Sequence, residues 1–177
     1  MKNICRGVLM ALAWFAAQCL GAEANELAAR QSIRIMAPPE AVWAVVGEFN
    51  GTARWLPLVA RSDIVLGTNN RVGAIRLITR RNGTKVTERL LDRDPQGMRM
   101  AYTYVDGAVM ASDYFPVLSV KDSGDGTSVV EWSARFRRLA YSIDPPPGQD
   151  DESLTRFYDG LYKTGLENLK RVVESGE

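Results

Sequence analysis

Past residue 27 the chain switches between two hydrophobic rhythms, and the switch points divide it into elements. In "AARQSIRIM" (28–36), Ile33 and Ile35 alternate with Ser32, Arg34 and Met36, the period of a half-buried strand. Pro38-Pro39 ends it, and Pro39 can open a helix, where a missing N–H costs nothing. Val42, Val45, Val46 and Phe49 then recur at helical spacing, with Trp43 flanking the stripe. Asn50-Gly51 is expected to stop this helix, and "TARWL" to form a second, shorter one before Pro57.

Between Ala60 and Arg138 alternation returns, punctuated at Asn69-Asn70, Asn82-Gly83, Asp94-Pro95-Gln96-Gly97, Asp106-Gly107 and Gly124-Asp125-Gly126. Asn-Gly between two alternating runs marks a hairpin, because both turn positions accept positive φ. The segment reads as six antiparallel strands in a meander, with no room for a crossover helix. After "AYSIDPPPGQDD" one helix is predicted from about Asp151 to Glu174, capped by Asp150 or Asp151. Its apolar face is expected at Leu154, Phe157, Leu161, Gly165, Leu169 and Val172. The order predicts an α+β fold. A curved seven-stranded antiparallel sheet would grip the long C-terminal helix, two short helices would plug one end, and a space would remain between sheet and helix.

The N-terminus belongs to none of this. Lys2 and Arg6 precede the apolar "VLMALAWFAAQCL" (8–20), which falls short of the roughly 20 residues of a membrane span, and small residues follow. Residues 1–24 therefore read as a secretory signal, cleaved after Ala22 or Ala24, leaving 25–177 as one periplasmic or secreted domain. Cys5 and Cys19 leave with the signal, so no disulfide is expected. Gln18 stands where a lipidation signal wants a small residue, so Cys19 is not read as a lipid anchor.

Charge and chemistry narrow the function further. Residues 1–24 carry Lys2, Arg6 and Glu23, so the remainder is charge-balanced. That balance argues against a nucleic-acid partner and against strong membrane attachment. The chain has no histidine, which with the loss of both cysteines removes Ser-His-Asp and Cys-His catalysis and the usual zinc sites. The carboxylates lack calcium-loop spacing, so neither metal nor cofactor is expected.

Alternation in "MRMAYTYV" puts Met98, Met100, Tyr102 and Tyr104 on one face, taken as inward, against Arg99, Ala101 and Thr103. Val130, Trp132, Ala134 and Phe136 likewise oppose Glu131, Ser133 and Arg135. Each aromatic alone is adequately explained as core. Together the phenols ask for polar partners or water inside, as a cavity would supply. Glu88 in "TERLL" reads, on the residues alone, as an exposed carboxylate pairing with a neighbouring arginine. Asp113 should face away from Tyr114 on a regular strand, unless Pro116 disturbs the register. The sequons at Asn50 and Asn82 already explain themselves as turns.

The pieces "APPEAVWAVVGEF", "WLP", "TERLLDRDPQG", "SDYFPVLSV" and "VVEWSARF", in this order over residues 28–175, resemble the START-like superfamily. That superfamily, also called SRPBCC, is the Bet v 1-like, polyketide cyclase/dehydrase and lipid-transport group with the helix-grip fold. The C-terminal "DPPPGQDDES" and "GLYKTGLENLK" are similar to the periplasmic MxaD-type proteins associated with methanol dehydrogenase. One departure is "GAVMASDY", where many relatives carry Leu-Pro-Val before Ser-Asp-Tyr.

The resemblance implies a pocket for a small hydrophobic ligand, with Glu88 joining a polar ligand network as in plant hormone receptors. It implies lining roles for Tyr114, Phe157, Leu161 and Gly165, and an entrance near Trp55 and Leu56. With Met100, Tyr102, Tyr104 and Trp132 these are the candidate ligand-binding residues. The expected role is non-enzymatic: ligand binding, or assistance to a periplasmic quinoprotein dehydrogenase or its c-type cytochrome. The alternative is a cyclase or dehydratase moving protons with Glu88 and Tyr102, Tyr104 or, chiefly, Tyr114.

Overall fold

The computed structural model describes residues 25–139 and 145–176; residues 1–24, read above as a secretory signal, with Cys5 and Cys19, lie outside the described residues. Strand β1 (Leu27–Ile35) is followed by helix α1 (Pro39–Val46) and a 3-10 turn (Phe49–Arg54). Six strands come next: β2 (Val59–Leu66), β3 (Ile75–Arg80), β4 (Lys85–Asp94), β5 (Arg99–Gly107), β6 (Ala111–Asp122) and β7 (Ser128–Arg138). Helix α2 (Asp151–Ser175) closes the chain. All seven strands form one antiparallel sheet in the order β1-β7-β6-β5-β4-β3-β2, so β2 to β7 run as a meander and β1 returns to pair with β7. This is the helix-grip architecture that the hydrophobic rhythm predicted.

Two local readings change. The first short helix ends at Gly47, not at Asn50-Gly51, because Trp43 folds back over that position. A Cβ on Gly47 would lie 2.4 Å from the indole, which only glycine permits. The second short helix is a 3-10 turn that begins at Phe49 and ends before Trp55. Asn50-Gly51 lies within it, and Phe49 and Asn50 donate their amides to the side chains of Asn70 and Asn69 on the β2–β3 turn.

The β5–β6 ladder is short, with a register of only three residue pairs, Arg99↔Ser119, Met100↔Leu118 and Ala101↔Val117. Beyond it β6 bulges between Ser112 and Phe115, where Asp113 adopts a φ of 49°. Tyr114 keeps the inward phase of Pro116, Leu118 and Val120 and Asp113 is exposed beside Arg137 at 3.5 Å, as regular alternation expects, while across the bulge Ala111 is the residue that turns in. Thr103 Oγ1 bridges the open seam by donating to the Tyr114 carbonyl at 2.8 Å. Met98, expected on the β5 inward face, is a half-buried turn residue with φ 46°. Ala101, expected outward, is fully buried beside the β4 bulge at Leu90–Asp92.

Asp150 caps α2, accepting from the Ser153 amide at 2.8 Å, and Gly176 ends it at φ 72°. The buried stripe is Leu154, Tyr158, Tyr162, Gly165, Leu166, Leu169 and Val172. Phe157 and Leu161, expected at its centre, are half-buried at its edge. The helix is rotated from the expected phase because Tyr158 and Tyr162 find hydroxyl partners on the sheet and can go fully under.

Candidate functional site

Between sheet and helix lies a hollow of about 40 Å³. Its inner wall is Thr52 from the 3-10 turn, Arg76 on β3, Glu88 on β4, Tyr102 on β5, Tyr114 on β6 and Trp132 on β7. Leu56, Val59, Ile78 and Val86 add buried apolar surface. Half-buried Leu58, Arg80, Tyr104 and Leu161 stand at the mouth. The volume holds about two or three waters and is far below the roughly 300–1,000 Å³ of a drug-sized pocket. The roomier space expected from the fold is taken up by tyrosines.

Seven of the eleven candidate residues line this hollow: Leu56, Glu88, Tyr102, Tyr104, Tyr114, Trp132 and Leu161. Four do not. Trp55 is buried against the Trp132 indole, ring centres 5.3 Å apart, rather than standing at an entrance. Met100 is core, and Phe157 packs edge-on to Tyr158 at 5.2 Å. Gly165 is a point of close approach: a Cβ there would lie 2.8 Å from Leu56, 3.0 Å from Trp132 and 3.4 Å from Trp55.

The polar centre is a buried ion pair. Arg76, 2% exposed, directs Nε and Nη2 at Glu88 Oε2, at 2.8 and 2.6 Å. Its Nη1 donates to Thr52 Oγ1 at 2.5 Å and to the Phe49 carbonyl. The guanidinium carbon lies 4.2 Å from the Phe49 ring centre and 5.0 Å from that of Tyr102, within cation–π reach. So Glu88 has the arginine neighbour expected from the strand, but is buried rather than exposed, pointing inward as the resemblance implies. Arg76 was missed by sequence reasoning, although a count across the Asn82-Gly83 turn finds it, since Arg76 and Glu88 are directly paired in the ladder.

The tyrosines form a second network. Tyr114 and Tyr162 hydroxyls meet at 2.9 Å, and those of Tyr104 and Tyr158 at 3.2 Å. Tyr114 stacks on Tyr104 (4.2 Å) and on Tyr158 (4.9 Å), while Tyr162 stacks on Trp132 (4.3 Å). Burial raises every one of these phenols, pushing Tyr158 up to about 12 and Tyr102, Tyr104, Tyr114 and Tyr162 well above their ordinary value. Glu88 adds to the rise at Tyr102, and neighbouring tyrosines add to it at Tyr104 and Tyr114. At neutral pH they are donors or acceptors of hydrogen bonds, not anions. Tyr158 and Tyr162 were missed because helical apolar patterning passes over tyrosine, yet they lie at i, i+4 in step with Leu154. The Trp132 indole N–H approaches the Tyr102 hydroxyl and, with Tyr114, partly offsets the rise at that phenol. No group of three or more acidic residues among the described residues is placed to hold a metal ion.

The arrangement can hold a small molecule by hydrogen bonds to phenols and a guanidinium within an apolar collar. Known proteins with this architecture bear on its ancestry. The chain is 30% identical over 144 residues to the abscisic acid receptor PYL2 of Arabidopsis thaliana, covering 77% of this chain and 72% of that one. It is 25% identical over 134 residues to MLP-like protein 423 of the same plant, covering 71% and 85%. The solved structure of the protein XoxI from Bacillus cereus superposes with a TM-score of 0.72 at 26% identity, covering 83% of this chain and 95% of that one. The Zhui aromatase/cyclase from Streptomyces sp. R1128 shares the fold with a TM-score of 0.72 at 15% identity, covering 85% and 94%. Residues 26–174 match the family described as polyketide cyclase / dehydrase and lipid transport, and the chain belongs to that family.

Proposed function

We propose that this chain is a binding protein that takes a small, largely apolar ligand carrying an oxygen function into the hollow between sheet and helix. The observation that carries this reading is convergence: Arg76, Glu88 and three phenols meet in a space ringed by Leu56, Ile78 and Leu161. A few well-placed polar groups within apolar walls are what small-molecule sites use to fix orientation. Anything larger than a few heavy atoms must displace the half-buried Leu58, Tyr104 or Leu161 at the mouth.

The protein acts in the periplasm, where we propose that it assists a quinoprotein dehydrogenase of the methanol type or its cytochrome. Support for that role comes from the secretion-like N-terminus and the C-terminal "DPPPGQDDES" and "GLYKTGLENLK". The cyclase or dehydratase reading asks Glu88 to move a proton while two guanidinium nitrogens sit on its Oε2. The binding reading uses the pair as it stands.

Native mass spectrometry of protein recovered from periplasm, with displacement of a fluorescent lipid, tests the ligand. A co-purifying small mass that competes with the probe is expected; protein that binds neither overturns the binding role. Capture from periplasmic extract tests the accessory role, and recovery of no dehydrogenase or cytochrome subunit overturns it.

A further inference from the structure

Arg80 stands at the mouth of the hollow, two residues along β3 from Ile78 and four from Arg76, on the same face. Its Nη1 donates to the Ala108 carbonyl at 2.9 Å and reaches Thr84 Oγ1 at 3.5 Å. Among the described residues its Nε and Nη2 carry no hydrogen bond, and no carboxylate pairs with it. That unused edge is the one a carboxylate takes with two parallel bonds.

Charge bookkeeping inside the hollow points the same way. Glu88 balances Arg76, and the phenols are neutral, so Arg80 leaves one uncompensated positive charge. Half-buried, that charge attracts an anion more strongly than a fully solvated one does. Holding the Ala108 loop uses only Nη1 and leaves the free edge unexplained.

We infer that Arg80 is the anchor for a carboxylate, and that the ligand is a small monocarboxylic acid whose apolar body lies between Leu161 and the aromatic wall. This deepens the binding role proposed above and rests on it. The hollow admits the first few heavy atoms of such a body, and a ring enters only as Leu58, Tyr104 or Leu161 at the mouth gives way; the Tyr102 hydroxyl is a further donor for an oxygen on it.

Calorimetric titration of the whole mature chain with butyrate and benzoate, against benzyl alcohol, benzamide and inorganic phosphate, tests it. The acids are expected to bind saturably and about 10- to 100-fold more tightly than the neutral compounds, as a charged hydrogen-bond pair provides. Arg80→Gln should lose that preference while the chain still melts cooperatively, lower by no more than the loss of the exposed Ala108 hydrogen bond accounts for. Arg80→Lys, which keeps the charge but not the fork, should lose part of it. Equal affinity for acid and neutral probes, or benzoate binding untouched by Arg80→Gln, overturns the anchor while leaving the hollow as a binding site. Phosphate bound as tightly as benzoate overturns the carboxylate class. No binding of any probe, together with no lipid displacement, overturns both the anchor and the binding role.

Discussion

Arg76 and Glu88 face each other across the β3–β4 ladder as a buried ion pair, closed over by the Phe49 and Tyr102 rings. Two charges removed from water hold only while each has the other, so the pair ties the 3-10 turn, two strands and the hollow into one unit. Removing Glu88 alone, as in Glu88→Ala, leaves a guanidinium buried without its counter-charge. A loss of about 3–5 kcal/mol is expected in urea unfolding. The double variant Arg76→Met/Glu88→Leu should lose much less than the two single losses together. Additive losses would show that the pair does not act as a unit.

Glycines on the final helix separate packing from propensity. At Gly165 a methyl group runs into Leu56 and Trp132, whereas at Gly160 nothing lies within 4 Å. Gly160→Ala should stabilise by about 0.5–1 kcal/mol, and Gly165→Ala should destabilise by about 1–3 kcal/mol despite the same gain in helix preference. Thermal melts of the two variants, compared side by side, check the opposite signs.

The Tyr114–Tyr162 hydroxyl pair is buried, and neither ring can turn to water. Tyr114→Phe should cost about 1–3 kcal/mol, because the Tyr162 hydroxyl is left without its partner. Tyr114→Phe/Tyr162→Phe should recover part of that loss. A double-mutant cycle measures the coupling, and zero coupling would contradict the contact.

Alkaline pH acts on the same rings. Each of the five tyrosines among the described residues has a folded value raised by burial, whereas the unfolded chain ionises near the ordinary value of about 10. Above that pH the folded state holds more protons than the unfolded one, so stability falls as pH rises. The contribution is whole below about pH 10 and drains away through about 12, where Tyr158 titrates, and beyond. Phenolate absorbance should therefore lag behind that of the urea-unfolded chain and rise together with loss of the near-ultraviolet circular dichroism. A titration matching free tyrosine at full fold would refute it.

Much of this was legible in the chain. Alternation and turn chemistry placed all seven strands, because one face of each is dry and the register cannot slip without exposing it. The phase of α2 was harder. Weighing Phe157 and Leu161 above Tyr158 and Tyr162 follows hydropathy, but a phenol with a hydroxyl partner buries as completely as leucine. Here both tyrosines are at 0% exposure. Arg76 escaped for a similar reason, since an arginine in a strand suggests the wet face until its cross-strand partner is counted. The bulge at Asp113 had one visible sign, Pro116 two residues before Leu118, and Pro116 could not say where the strand would bend. Cavity size is a sum over many side chains, and no local pattern encodes it.

The three-pair join between β5 and β6 has a mechanical consequence. The sheet behaves as two panels on a narrow hinge, clasped across the gap by the stacked Tyr104 and Tyr114 rings. Compliance concentrates at such a joint, so deuterium should reach the amides of residues 103–107 that face β6, but not those bonded to β4, well before those of the continuous β6–β7 ladder. The strand pairing that is missing along this seam is thus made up by ring stacking, which ties the two halves of the wall without fixing their register.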